Sequence, residues 1–371
     1  MNKMQKGIVA VTVLVIAIIL MIAIIIAAPK TTVKREADIE QKSTYVDADK
    51  TLTLWYSDDA CDAYMQKCVQ DYYEHTGIAV EAKYVEDANY LEQIYDATMA
   101  DADFPDVYLS GNDAKEKAKL YGIATTDSYE LYFNTLLLAY HTDSFATAPA
   151  SIQEILDFGQ NNLLGEGVGN LLEWNLADGF YNYPFAGDGI EFDESSEELQ
   201  VSYDEEKYNQ ELTFYQSLAQ KIDMDAMSLS REQIVANFNQ EETLTALIDS
   251  DDLALITAEE YGIAQLPMLN DTLSMKGIAS KGVLLINEFS TQKEEARAFA
   301  EFVQTSEADC IETMTGHISL NPDYIVNANS QTAYAQYQQS TLLPQSADAG
   351  VFWQNYAKQM TDIWNGGALP E

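Results

Sequence analysis

The chain has 371 residues, and its 60 acidic against 20 basic side chains give a formal net charge of −40 at pH 7. This balance excludes nucleic acid as a partner, because Lys and Arg must neutralise phosphates there, and it argues equally against docking on anionic lipid. A strongly negative charge keeps a domain soluble and monomeric, so we expect a monomer. Since 47% of the residues are apolar and 23 are Tyr, the chain can build hydrophobic cores.

The first predicted element is an apolar helix over residues 8–28, which contain no charge and one polar side chain, Thr12. A helix of that length spans roughly 31 Å, enough to cross a bilayer core. The apolar region of a cleaved signal peptide is shorter, about 7–15 residues. We therefore expect residues 1–28 to form an uncleaved N-terminal membrane anchor, with a cleaved signal segment as the alternative. Basic residues flank the run on both sides, so charge alone leaves its orientation open.

Residues 29–50 are polar and lack apolar periodicity, which indicates a linker. The rest of the chain exceeds the roughly 250–300 residues that a single core usually serves, and this predicts two lobes. The three cysteines, Cys61, Cys68 and Cys310, are too few for a disulfide framework. Cys61 and Cys68 would lie two helical turns apart, too far to bond, so we interpret all three as buried apolar side chains.

Strands and helices alternate from residue 51 onward. Leu52, Leu54 and Tyr56 alternate with polar residues and with Trp55, a strand pattern in which Trp55 faces away from the leucines. A helix capped by Asp58 or Asp59 then runs to Gly77. Further strands are predicted at 78–84, 105–109 and 136–140, and further helices at 91–100, 113–120 and 151–158. This alternation predicts an α/β lobe with a mostly parallel sheet.

The second half of the chain continues with mixed elements. The helix at 151–158 begins with Ser151 and Glu154 in capping-box spacing. Residues 193–198 form an acidic, hairpin-like loop, and residues 208–222 an amphipathic helix. Buried strands are predicted at 253–257 and 283–287, and a long helix at 292–306.

Short motifs follow one another in a recognisable order along this chain. The strand at 52–56, His75-Thr76-Gly77-Ile78 and Phe104-Pro105-Asp106-Val107-Tyr108 come first. Later motifs lie at 134–143, 148–155, 183–189, 236–238, 253–256, 287–302, 322 and 352–353. In this order they resemble the extracellular solute-binding proteins of ABC importers, family 1, the maltose-binding-like branch. One departure is that family members usually carry a further helix after the position of Gly366-Gly367.

The resemblance implies a two-lobed periplasmic-binding-protein-like fold of type II, with a mixed sheet flanked by helices in each lobe. We expect lobe 1 to comprise residues 51–132 and 280–318, and lobe 2 residues 133–279 and 319–371. The crossings between lobes should fall near 131–138, 279–283 and 318–321. The family also implies ligand capture between the lobes by hinge closure, delivery to ABC permease subunits, and a binding domain outside a cell membrane that the N-terminal helix crosses once.

Ligand contacts in the family map onto acids and aromatics of this chain. Tyr261 stands where the family has a stacking Trp, and Ser110 where it has an aromatic, which argues against a maltodextrin in particular. Asp58 or Asp59 could act only as a helix cap, and Trp55 could be a core residue. The predicted ligand-binding residues are Trp55, Ser57, Asp58, Asp59, Ser110, Asp113, Asn134, Asp178, Phe180, Tyr183, Tyr261 and Trp353.

Aromatic platforms beside carboxylates and amides suit a sugar, which has apolar faces and a belt of hydroxyls. A small oligosaccharide is therefore the expected solute. One alternative is a cationic solute such as a polyamine, and another is a surface-anchored sensor or adhesin with the same fold. The three histidines lack zinc spacing and no G-x-S-x-G motif is present, so we expect no enzyme activity, no cofactor and no metal.

Overall fold

The computed structural model describes residues 51–86, 89–165, 167–195, 198–224 and 229–370. The predicted anchor and linker, residues 1–50, lie outside the described residues. Within the described ranges, no helix combines the length and the apolar character needed to span a bilayer.

The first part of the chain alternates strands with helices. Its strands are β1 (Leu52–Tyr56), β2 (Val80–Tyr84), β3 (Val107–Gly111) and β4 (Ser128–His141), and its helices are α1 (Asp62–Thr76), α2 (Tyr90–Met99) and α3 (Lys115–Leu120). The order predicted from the sequence is thus confirmed. Helix α1 ends at Gly77, whose φ of 75° is the left-handed conformation that glycine adopts without strain.

The remaining elements complete a mixed α/β architecture. In chain order they are α4 (Ile152–Asn161), β5 (Asn170–Glu173), α5 (Gly179–Ala186), β6 (Ile190–Asp193), β7 (Gln200–Tyr203), α6 (Glu205–Leu218), α7 (Arg231–Asn239), β8 (Thr243–Asp249), β9 (Tyr261–Ala264), β10 (Ile278–Ile286), α8 (Lys293–Ser306), α9 (Ile311–Thr315), β11 (Ile318–Ser319), α10 (Ala328–Tyr337), β12 (Thr341–Leu342) and α11 (Ala349–Trp364).

The strand predicted at 253–257 is wrong, because residues Ser250–Leu255 form a 3-10 helix and the strand precedes it as β8. The Asp249 carboxylate accepts the backbone N–H of Asp251 at 3.0 Å, and the Asp252 carboxylate accepts that of Asp249 at 3.3 Å. This reciprocal capping box fixes a helical turn that the apolar run alone does not reveal.

The capping box predicted at the start of α4 forms in part. The Ser151 hydroxyl accepts the backbone N–H of Glu154 as predicted, but the Glu154 carboxylate accepts the N–H of Ala150 instead of that of Ser151.

The strands form a mixed sheet in the order β2-β1-β3-β10-β4-β8-β5. Strands β2, β1 and β3 are parallel, β10 is antiparallel to both β3 and β4, and β8 is parallel to β5. The long strand β4 pairs through Thr135 with β10 and, from Leu136 onward, with β8 and β9. It therefore belongs to both halves of the sheet.

Both faces of each half of the sheet are covered by helices. In the first half, Leu52 and Leu54 pack with α1 and α8, whereas Trp55 packs on the opposite face with α2 and α3. In the second half, Leu136 and Leu138 face α4, α6 and α11, and the alternate residues of β4 face α7 and α10. Four apolar cores, two on each half, therefore hold the sheet between layers of helices.

The three cysteines are free thiols. Cys61 and Cys68 are buried in the core beneath α1, and Cys310 is half-buried.

One carboxyl group lies inside the core of the second half. Glu211 on α6 is fully buried, and its Oε2 accepts the backbone N–H of Gly189 at 3.1 Å. Its Oε1 has no hydrogen-bond partner among the described residues. Burial disfavours the ionised form and raises the pKa of Glu211 to about 8.

This pKa predicts a stability that depends on pH. The unfolded chain releases the Glu211 proton near its ordinary pKa of 4.5, and the folded chain near 8, so the free energy of unfolding falls as the pH rises through that window. The slope from this group is at most about 1.4 kcal/mol per pH unit. Urea unfolding across the window should give a steeper fall with pH in the natural chain than in Glu211→Gln, by up to this amount, whereas Glu206→Gln, on the exposed face of α6, should match the natural chain. Equal slopes in all three proteins would contradict the assignment.

Candidate functional site

A cavity of about 570 Å³ opens between the turn that follows β3 and the helices α5 and α11. Four predicted ligand-binding residues, Asp113, Asp178, Phe180 and Trp353, share its wall. The turns after β3 and β5 lie at the carboxyl ends of those strands, the edge where ligands bind in open α/β sheets. None of the residues that line the cavity is basic.

Asp113 lies in a short 3-10 turn that β10 holds in place. The neighbouring Asn112 is buried, and its Oδ1 accepts the backbone N–H of Lys281 at 2.6 Å. A Cβ at Gly111 would lie 2.3 Å from Asp113 Oδ1, so the glycine leaves room for the carboxylate. The carboxylate opens to solvent, yet protein surrounds it on several sides, and this desolvation raises its pKa.

Asp178 faces the cavity from the N-terminus of α5. Its Oδ1 accepts the backbone N–H of Phe180 at 2.9 Å, which makes it the helix cap. Partial desolvation raises the pKa of this carboxyl group as well. A Cβ at Gly179 would approach the Trp353 ring to 3.3 Å, so the glycine lets α5 and α11 pack closely. Trp353 and Phe180 line the same cavity.

An aromatic cluster supports the Trp353 ring from behind. The ring centre lies 5.7 Å from that of Tyr183 and 5.0 Å from that of Phe352. Trp353 and Phe180 are half-buried, whereas Tyr183 is fully buried and does not line the cavity. Tyr183, predicted to bind the ligand, therefore packs behind Trp353 and does not face the cavity.

Two other predicted residues, Asp58 and Asn134, meet in a second cluster around His317. The imidazole Nε2 lies 2.7 Å from Asp58 Oδ2, and Nδ1 lies 2.9 Å from Asp251 Oδ1 in an ion pair. Asn134 donates a hydrogen bond to the other oxygen of Asp251. Burial alone would lower the pKa of His317, but the carboxylates of Asp251 and Asp58 outweigh it and raise the pKa to about 12.

The His317 ring is also fixed by stacking. It lies parallel to Tyr132, with ring centres 4.0 Å apart and an interplanar angle of 4°. A Cβ at Gly282 would lie 2.1 Å from the Tyr132 ring, so this glycine of β10 leaves room for the tyrosine. Asp58 follows β1, Asp251 follows β8, and His317 precedes β11, so the cluster joins both halves of the sheet.

Removal of this imidazole should destabilise the fold. In His317→Ala the partly buried Asp58 and Asp251 lose the cation between them, and such a broken pair costs about 3–5 kcal/mol. Equilibrium unfolding in urea should show this loss, whereas His75→Ala, at an exposed histidine, should change the free energy of unfolding little. A loss below about 1 kcal/mol for His317→Ala would show that the ion pairs contribute no more than exposed ones do.

The other predicted residues lie elsewhere. Trp55 is 5% exposed in the core beneath α2, which is the packing alternative that the strand pattern left open. Tyr261 packs on β9 among the residues that face α7 and α10. Ser57 and Asp59 flank Asp58 after β1, and Ser110 pairs with Val283 across β3 and β10. Asp58 caps the 3-10 turn Asp59–Cys61 and not, as predicted, the helix that runs to Gly77, since α1 begins after Cys61 without a side-chain cap.

The His317 cluster is the feature that the sequence did not predict. Asp58 and His317 are 259 residues apart, so no spacing motif links them. The sequence contains one hint of this cluster: His317 directly precedes the predicted crossing at 318–321, and Asp58 and Asp251 each follow a strand. That combination has no predictive force until the sheet order is known.

The mixed sheet and its four cores form a fold that is shared with two solved solute-binding proteins. The extracellular solute-binding protein of Staphylococcus aureus, solved with maltose, superposes with a TM-score of 0.70 at 16% identity, over 85% of this chain and 93% of that one. The maltose-binding periplasmic protein of Listeria monocytogenes, also solved with maltose, gives a TM-score of 0.71 at 18% identity, over 87% and 94%.

These likenesses establish the fold and confirm the two-lobed α/β architecture expected from the motifs. No protein-family model matches the sequence, and no curated protein matches it.

Proposed function

We propose that this chain is the extracellular carbohydrate receptor of an ABC importer and binds a small oligosaccharide between its lobes. The observation that carries the proposal is the convergence of Trp353, Phe180, Asp113 and Asp178 on one cavity. Both neighbouring structures contain maltose, which favours a carbohydrate in the corresponding cleft here.

The chemistry of the cavity wall suits a sugar. The faces of Trp353 and Phe180 offer apolar surface for the C–H groups of a pyranose ring. The Asp113 and Asp178 carboxylates, with the amides of Asn175 and Gln354, offer hydrogen-bond acceptors and donors for its hydroxyls. The volume falls within the range of about 300–1,000 Å³ that small-molecule sites occupy.

Ligand capture in this proposal uses the strands that both lobes share. The proposed crossings near 131–138, 279–283 and 318–321 fall on strands β4, β10 and β11, and β4 pairs with both of the others. Closure about this junction would bring the Asp113 turn toward α5 and α11 and exclude water from the sugar. The proposed lobe limits remain residues 51–132 with 280–318, and 133–279 with 319–371.

The proposed setting is the outer face of a cell membrane. Residues 1–28 would cross the membrane with the N-terminus in the cytoplasm, and residues 29–50 would tether the receptor near the permease subunits that accept its ligand. In this role the chain binds and releases its solute unchanged.

A cationic solute such as a polyamine is the second candidate. The observation that favours it is the pair of carboxylates, Asp113 and Asp178, in a cavity whose lining contains no basic residue. Ammonium groups would pair with these carboxylates while the aromatic rings add cation–π contacts.

Titration calorimetry of the purified protein with neutral oligosaccharides and with spermidine tests both candidates. For the sugar that binds, Trp353→Ala should weaken affinity more than about tenfold, or about 1.4 kcal/mol, because the platform is removed. Phe289→Ala is the matched control, since it truncates an exposed aromatic side chain that lies outside the cavity wall.

An unchanged affinity in Trp353→Ala would disprove the proposed platform. Binding of spermidine but of no sugar would reject the carbohydrate proposal in favour of the cationic one, and Asp178→Asn should then abolish most of the affinity.

A further inference from the structure

Three side chains that commonly bind metals converge where β1 meets the segment before β11. The carboxylate of Asp58, the thiol of Cys61 and the imidazole of His317 each place one donor atom within 4.8 Å of the other two. We propose that they form a site for a divalent transition-metal ion of the Zn²⁺ type. This inference goes beyond the proposed carbohydrate receptor and does not depend on it.

The donor set selects the class of ion. A thiolate, an imidazole and a carboxylate are ligands that Zn²⁺ and neighbouring transition metals accept together. Ca²⁺ and Mg²⁺ take oxygen ligands and would leave the sulfur and nitrogen unused. Three protein ligands leave one tetrahedral position for a water molecule.

The ligands are held in place by contacts outside the proposed coordination sphere. Asp58 Oδ1 accepts the N–H of Ala60 at 3.0 Å, so the cap fixes the carboxylate and its Oδ2 faces His317. Asp251 Oδ1 lies 2.9 Å from the second imidazole nitrogen, within ion-pair distance but without the alignment of a hydrogen bond. A carboxylate next to the distal nitrogen of a metal-binding histidine is the usual outer partner in zinc sites.

Burial and charge favour a cation at this position. Cys61 is fully buried and His317 is 5% exposed, whereas Asp58 is half-buried and leaves one side open to solvent. Among the described residues, neither Asp58 nor Asp251 has a Lys or Arg partner within ion-pair distance. Two carboxylates therefore share a single imidazolium, which leaves one negative charge unbalanced. A bound divalent ion next to a neutral imidazole would balance both carboxylates, and only the charge of the thiolate would remain.

Metal binding here is a proton exchange. The ion takes the place of the proton on His317 Nε2 and of the proton on Cys61 Sγ, and both protons are released to solvent. No oxidation or reduction is involved. Because the ligands come from two distant parts of the chain, the bound ion should also stabilise the folded state.

Cobalt titration of the full-length chain, stripped with a chelator and kept reduced, tests the site directly. Co²⁺ should bind in one equivalent with the visible spectrum of tetrahedral cobalt and a thiolate-to-cobalt charge-transfer band, and one equivalent of Zn²⁺ should displace it. Cys61→Ser should lose the charge-transfer band and bind Co²⁺ at least about tenfold more weakly. Cys68→Ser and Cys310→Ser should keep the band and the Co²⁺ affinity of the natural chain. Asp251→Asn should keep the spectrum and weaken binding by about 10–100-fold.

The absence of a charge-transfer band in the natural chain would overturn the site, whether or not the variants fold, because the sequence has three cysteines and this measurement detects any thiolate ligand. A band that persists in Cys61→Ser would assign the sulfur elsewhere and equally overturn it. Sugar affinity is measured separately, so failure of either proposal leaves the other to be judged by its own result.

Discussion

The antiparallel pairing of β4 with β10 is the constraint on which the rest of the structure depends. Thr135 lies at the end of this pairing, where β4 passes from β10 to β8, and is fully buried. Its hydroxyl donates to the carbonyl of Ile278 at 2.8 Å, and its N–H donates to Ser250 Oγ at 3.1 Å. One residue thereby connects β10 in the first half of the sheet with the end of β8 in the second. Because a buried threonine must satisfy both groups, this junction has little freedom to slide.

The functional surfaces follow from that junction. The N–H of Lys281 on β10 holds Asn112 and so places Asp113. The second half of β4 carries the core on which α5 and α11 pack, and these helices bring Asp178 and Trp353 to the opposite wall. The cavity and the His317 cluster therefore lie between parts of the chain that share the strands β4 and β10.

The elements predicted correctly from the sequence are those that interactions between near neighbours in the chain determine. The strand β1, the stop of α1 at Gly77 and the helix α8 follow from alternation, glycine chemistry and helical periodicity, which act within a few residues. The first half of β4 escaped prediction because Ser128, Glu130 and Asn134 break the apolar pattern, and its pairing with β10 and β11 makes the segment a strand.

Long-range contacts limited the prediction of the site. Trp55 could not be assigned from its strand alone, since both faces of this sheet are buried and alternation cannot tell a core face from a ligand face. The family resemblance predicts four ligand-binding residues that the structure brings to one cavity, Asp113, Asp178, Phe180 and Trp353. His317 could not be linked to Asp58 and Asp251 before the order of the strands was known.

A structure of the protein with a bound oligosaccharide tests the central claim most directly. We expect a sugar ring stacked on Trp353 and Phe180, with hydroxyls hydrogen-bonded to Asp113 and Asp178 and the two lobes closer together than in the ligand-free protein. A sugar bound outside this cavity, or a cavity that stays empty at saturating sugar, would contradict the account.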